Sequence, residues 1–157
     1  MSTRSTISIK EGNKVRTVYC HWDGYLSGVG QTLLNHYDDK ETINELIDLG
    51  SISSLKEDVR RKKGKFYTIG YGDNLKTAKE SDVHDFENAF NNVTIAYHRD
   101  RGEDLEIHEM TTKKKFDSYP MDWAEYDYLF HVELNEWRVR INKNFVKLTQ
   151  ERINKGQ

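Results

Sequence analysis

Two runs of β-branched and aromatic residues, Thr6–Ile9 and Val15–Trp22, flank the turn-forming Glu11-Gly12-Asn13. Such runs around a short polar turn predict a β-hairpin. Two strands alone are marginal in water, so the rest of the chain must extend or cover this pair. In the second strand Val15, Thr17, Tyr19 and His21 share one face, and Arg16, Val18, Cys20 and Trp22 the other.

The period then changes. Ser27 can cap a helix carrying Val29, Leu33, Leu34 and Tyr37 at helical spacing. Asp39 can cap a second, with Ile43, Leu46 and Ile47 as its stripe and Gly50 as its stop. The pair reads as an αα-hairpin laid over the sheet. Lys56–Lys65 reads as a solvated charged segment, Phe66–Gly70 as a short strand and Asp82–Asn91 as a helix. Val93–His98 reads as a strand, with Leu105–Glu109 pairing to it across Asp100–Glu103. Tyr126–Val132 and Trp137–Ile141 read as a hairpin whose Trp137, Val139 and Ile141 face in while Arg138 and Arg140 face out. A closing helix is expected from about Lys143, carrying Phe145, Leu148 and Ile153. Hairpins with helices inserted as blocks predict an α+β fold: an antiparallel sheet of about five to six strands under two to four helices. One proline in 157 residues and no Gly/Ser-rich linker predict a single domain over 1–157.

Composition narrows the function classes. Lys plus Arg total 24 and Asp plus Glu 26, so no global positive charge exists to drive nucleic-acid binding. The basic runs Arg60–Lys65 and Lys113–Lys115 read as solvated loops or strand edges, able to form a patch only if they join Arg138 and Arg140. One cysteine, Cys20, excludes an internal disulfide framework and a Cys-based zinc site, and its setting suggests an inert core thiol. No apolar run approaches the ~20 residues of a membrane span, and the opening Met-Ser-Thr-Arg-Ser-Thr lacks a signal peptide's apolar stretch. The expectation is a cytoplasmic protein with no membrane partner and no cofactor.

Two stretches concentrate the chemistry. Tyr19–Gln31 packs aromatics, His21, Asp23, Ser27 and the glycines Gly24, Gly28 and Gly30 where a strand yields to a helix. Exposed helix N–H groups there suit a phosphate or carboxylate, and glycines let a ligand approach the backbone. The pattern is neither a Walker loop nor a dinucleotide fingerprint. The alternative is that Gly24 makes a turn, Gly28 and Gly30 permit close packing, and Trp22 fills the core. The second stretch, Tyr97–Glu103, repeats the His-x-Asp spacing of His21 and Asp23 at His98 and Asp100. Convergence of His21, Asp23, His98 and Asp100 would give a metal or acid/base site for phosphodiester cleavage. Arg99 and Arg101 can clamp phosphate oxygens, or pair structurally with Asp100, Glu103 or Asp104. Tyr19, His21, Trp22, Asp23, Tyr25, Ser27, Gly28, Tyr97, His98, Arg99 and Arg101 are therefore the candidate ligand-binding residues.

The opening Ser2-Thr3-Arg4-Ser5-Thr6-Ile7, the run Tyr19-Cys20-His21-Trp22-Asp23-Gly24-Tyr25, the segments Leu33-Leu34-Asn35-His36-Tyr37 and Leu49–Leu55, the block Ala96–Glu103 and Trp137 together resemble a group of small proteins of tailed bacteriophages and prophages. The resemblance implies a non-structural phage protein acting in the bacterial host cytoplasm, and so host takeover or defence evasion; it carries no activity with it. Proteins that sequester nucleotide immune signals need aromatic faces, a few arginines and backbone N–H groups, and often an oligomer interface that encloses the ligand. A nucleotide-like small molecule is the expected partner, with a homo-oligomer possible. The alternatives are a nucleotide phosphodiesterase or nuclease, and an inhibitor of a host enzyme that binds through Tyr119, Trp123 and Tyr126.

Overall fold

A computed structural model describes residues 2–59, 93–111, 124–141 and 143–157. The hairpin forms as its alternation predicts: β1 (Ser5–Glu11) pairs antiparallel with β2 (Lys14–Cys20), and Gly12 at φ 60 makes the turn. After β2 the chain runs through a π-helical turn, Leu26–Gly30, into α1 (Gln31–His36), then α2 (Lys40–Asp48) and β3 (Ile52–Ser54). Asp39 caps α2 by accepting from the Thr42 N–H at 2.8 Å, and Gly50 at φ 76 follows its end. Further along lie β4 (Ile95–Ala96), α3 (Tyr97–Arg101), β5 (His108–Thr111), β6 (Tyr126–His131), β7 (Glu136–Ile141), β8 (Asn144–Lys147) and α4 (Gln150–Lys155).

The fold is α+β, but the sheet is larger than expected and mixed: eight strands among the described residues, with main order β4-β3-β2-β1-β6-β7-β8 and β5 also on β2. β1 pairs parallel with β6, and β2 pairs parallel with β3. The second pairing follows from the inserted helices. A chain that leaves β2 through two helices and returns beside it is a crossover, and crossovers join parallel strands. Several local expectations are corrected with it. Ser27 is exposed inside the π-helical turn and caps nothing; the cap position falls at Tyr25, whose side chain makes no capping bond. The Val93–His98 strand shrinks to Ile95–Ala96, and the Leu105–Glu109 partner becomes β5, which pairs with β2. The closing helix starts late because β8 forms first; Thr149 then caps α4, its hydroxyl accepting from the Arg152 N–H at 3.1 Å. Phe66–Gly70, Asp82–Asn91 and both basic runs, Arg60–Lys65 and Lys113–Lys115, lie outside the described residues.

The core lies between the sheet and the helices. Ile7, Val18, Cys20, Tyr128, Phe130 and Val139 meet Leu33, Tyr37, Ile43, Leu46 and Ile47. Trp137 packs edge-on to Phe130 and donates its indole N–H to the Tyr37 carbonyl at 2.6 Å. The opposite face is polar yet buried at its centre, where Thr6, Ser8, Thr17 and Asp127 are at most 1% exposed. Buried polar groups need partners, and here they find them across strands. Thr6 donates to Asp127 at 2.5 Å, Ser8 and Thr17 share a 2.7 Å bond, and Arg140 pairs with Asp127. Arg140 and Arg138 are thus partly buried members of a polar layer, which corrects the solvent-facing expectation.

Candidate functional site

The end of β2 reaches β3, and β3 reaches β4. Cys20 lies opposite Ile52, Ile52 opposite Ala96, and the Tyr97 N–H bonds to the Ser51 carbonyl at 3.1 Å. Two strand steps therefore separate the tryptophan-centred stretch from the arginine-flanked one. Tyr19 and Tyr97 consequently line a single open cavity of about 280 Å³, together with Ser51, Glu103, Asp104 and Glu106. Burial, and after it the proximity of Tyr97, raises the Tyr19 phenol above its ordinary pKa. An aromatic path leads away from the cavity. The Tyr19 hydroxyl bonds to Nδ1 of His21, and His21 stands edge-on to Trp22 with centroids 4.7 Å apart. Trp22 is 45% exposed, so it does not fill the core. The Arg101 guanidinium lies 5.2 Å from the centroid of the Tyr97 ring, a cation–π distance.

The remaining candidates do other work. Arg99 donates to both Asp100 oxygens (3.0 and 3.1 Å), to the Val59 carbonyl at 2.5 Å and to the Thr94 carbonyl at 2.7 Å. It ties α3 to the segment ending at Val59 and to Thr94 ahead of β4, and clamps no phosphate in this arrangement. Asp100 is fully buried and also accepts the Ala96 N–H at 2.7 Å, so it caps α3 from inside. His98 Nδ1 bonds to the Glu103 carbonyl at 2.7 Å. Asp100 is committed to its Arg99 and Ala96 bonds and is no free acid or base, and among the described residues no group of three His, Cys, Asp or Glu side chains is placed to hold a metal ion.

The glycine-rich turn is equally occupied. Gly24 N–H bonds to the Thr3 carbonyl at 2.8 Å, Gly28 N–H to the Tyr25 carbonyl at 3.0 Å, and Val29 N–H to the Asp23 carbonyl at 2.8 Å. A Cβ on Gly28 would sit 2.2 Å from that Asp23 oxygen, and one on Gly24 would sit 2.7 Å from the Thr3 oxygen. These glycines admit other parts of the protein, not a ligand. Asp23 holds φ 57 to start the turn, and the exposed Tyr25 donates to its carboxylate at 3.3 Å. The Cys20 thiol is buried and its pKa is pushed up to about 12, chiefly by loss of solvation, so it remains unreactive near neutrality.

Ser51, Glu103, Asp104 and Glu106 escaped the sequence reading as site residues. The available signal was the acidic run that follows Gly102, which ends α3 at φ 69 with the Glu103 N–H closing onto the Tyr97 carbonyl at 3.1 Å. That bond pattern is a helix-ending motif, and it turns the run back across the sheet edge. Gly50 completes the wall: at φ 76, its missing Cβ leaves room for Leu105 and the Glu106 backbone. Of the third reading's residues, Tyr119 and Trp123 lie outside the described residues, while Tyr126 stacks on Tyr128 with centroids 6.2 Å apart. No protein-family model, curated protein or solved structure matches this chain.

Proposed function

We propose that this protein binds a nucleotide-type small molecule at the Tyr19–Tyr97 cavity and holds it without turning it over. In the phage setting that the sequence resemblance implies, such binding would sequester a host signal. The observation that carries the reading is the shared cavity itself: one wall comes from each dense stretch, and tyrosine rings stand on both. Its volume of about 280 Å³ falls just below the ~300–1,000 Å³ typical of small-molecule sites. That suits one nucleoside-sized unit, with any further part of the ligand lying along the His21–Trp22 path.

Retention is favoured over cleavage because no three His, Cys, Asp or Glu side chains among the described residues gather as a metal site, and Asp100 is committed elsewhere. Asp100 is buried against Arg99 and the Ala96 N–H. Phosphate placement also changes from the sequence expectation. Glu103, Asp104 and Glu106 border the cavity. A like charge 4 Å from any one of them costs about 1 kcal/mol in water and about 4 kcal/mol at an effective dielectric of 20. Phosphates would therefore sit outside, toward Arg101.

Titration calorimetry against adenosine, AMP, ADP-ribose and cyclic dinucleotides tests this reading. The expected result is a saturable heat with at least one of them, lost in Tyr97→Ala, and recovery of intact ligand after heat denaturation. Flat titrations throughout would remove the binding reading, and recovery of a cleaved product would replace it with the phosphodiesterase one.

A further inference from the structure

The cavity combines features that a phosphate-binding pocket would not. Half of its six lining residues carry carboxylates, and the others are Tyr19, Tyr97 and Ser51. None of the six is basic: Arg101 lies against the Tyr97 ring, and Arg4 reaches the Tyr19 phenol only through its charge. The arginine best suited to a bidentate clamp, Arg99, is committed to Asp100 and two backbone carbonyls. Carboxylates accept hydrogen bonds and donate none. Vicinal hydroxyls and exocyclic amino groups supply donors, and hydrogen bonds from such groups to a charged acceptor are the stronger kind. An aromatic base or sugar face then has the tyrosine rings to lie against.

We infer that the cavity recognises the sugar side of its ligand: a ribose with a free 2′,3′-diol, hydrogen-bonded to the Glu103–Glu106 run, with the base against the tyrosines and the phosphate left outside. This rests on the nucleotide reading of the site and adds what that reading leaves open, namely which part of the nucleotide carries the affinity. It separates ligands by a feature other than phosphate number. Ribonucleosides and their 5′-phosphates bind, while 2′-deoxy and 3′-deoxy forms bind more weakly. Gly50 is the positioning residue for this selectivity, because Leu105 and the Glu106 backbone fill the space a side chain there would take.

The test is calorimetric titration of the full chain with adenosine, 2′-deoxyadenosine, 3′-deoxyadenosine and AMP. Loss of either hydroxyl should weaken binding roughly tenfold or more, the scale of a hydrogen bond to a charged group. AMP should bind no better than adenosine. The same series is run on the Glu103→Gln/Asp104→Asn/Glu106→Gln variant, whose altered side chains are exposed and whose fold is checked by its thermal transition. The variant should bind adenosine more weakly, lose the preference over 2′-deoxyadenosine, and shift toward AMP. Equal affinity for adenosine and both deoxy forms would overturn the diol reading while leaving the nucleotide reading standing. So would binding of AMP with none of adenosine. No heat with any of the four, together with flat titrations of ADP-ribose and cyclic dinucleotides, would end both.

Discussion

The turn from Asp23 to Gly30 and the helix–loop from Tyr97 to Glu106 both present as ligand sites in the sequence, and they come apart in three dimensions. The turn is closed. Its Gly24, Gly28 and Val29 amides bond inside the protein, and the missing Cβ atoms of Gly24 and Gly28 face backbone oxygens within 3 Å. The helix–loop is open on one side, where Tyr97 and the acidic run border solvent-filled space, and locked on the other by Arg99 and Asp100. Glycine density therefore signals close approach without saying of what. The distinction lies in what the absent side chain would have met.

Removing Asp100 should break the locked side most severely. Asp100→Ala strips the cap from α3 and leaves the Arg99 guanidinium without its carboxylate, so a loss of about 3 kcal/mol is expected in urea denaturation. A loss under about 1 kcal/mol would mean that the pair does not hold β4 in place. Gly28→Ala should cost about 2 kcal/mol, the scale of overpacking, because its Cβ would collide with the Asp23 carbonyl 2.2 Å away. A neutral outcome would show the turn loose enough to be a ligand loop after all. Tyr128→Phe should cost about 1 kcal/mol, since the buried Tyr128 hydroxyl donates to the Gly24 carbonyl at 2.7 Å and steadies the same turn from beneath. On the open side, Asp104→Asn should change stability by less than about 0.5 kcal/mol while altering binding, as expected of an exposed residue bordering a cavity.

A control on the helical layer matches Tyr128→Phe in size. Backbone and hydroxyl hydrogen bonds from Thr42 hold the Asp39 carboxyl below the usual carboxylate range. A lowered folded-state pKa stabilises above the unfolded value of about 3.9, and that contribution is lost as pH falls through the folded value. Asp39→Ala should thus cost about 1 kcal/mol at pH 7, and the gap from the parent protein should narrow below about pH 4. A gap constant from pH 7 to pH 2 would contradict the cap.

Legibility in the sequence followed range. Local signals read well: the β1–β2 turn at Gly12, the Asp39 cap, the Gly50 stop and the β6–β7 hairpin all depend on neighbours a few residues apart. The mixed sheet did not read, because β1 meets β6 across more than a hundred residues and no local pattern encodes a parallel register. Tyr97 and His98 misread as strand for a comparable reason. The buried carboxylate of Asp100 takes the Ala96 N–H and turns the chain into α3, which overrides the β-propensity of Val93–Tyr97. Arg138 and Arg140 read as outward because alternation gives the face but not what the face meets; Asp127, paired with Arg140, was the missing partner. Of the candidate site, Tyr19 and Tyr97 were visible as residues, while Ser51 and the acidic run became visible only once β3 had been placed between the two stretches.

The most direct measurement is NMR of protein carrying labelled tyrosine, titrated with adenosine or ADP-ribose. The ring signals of Tyr19 and Tyr97 should move together along one isotherm, with Tyr37 and Tyr128 unmoved in the core. Movement of the Gly24, Gly28 and Val29 amides with both cavity tyrosines still would contradict the account and return the site to the glycine turn.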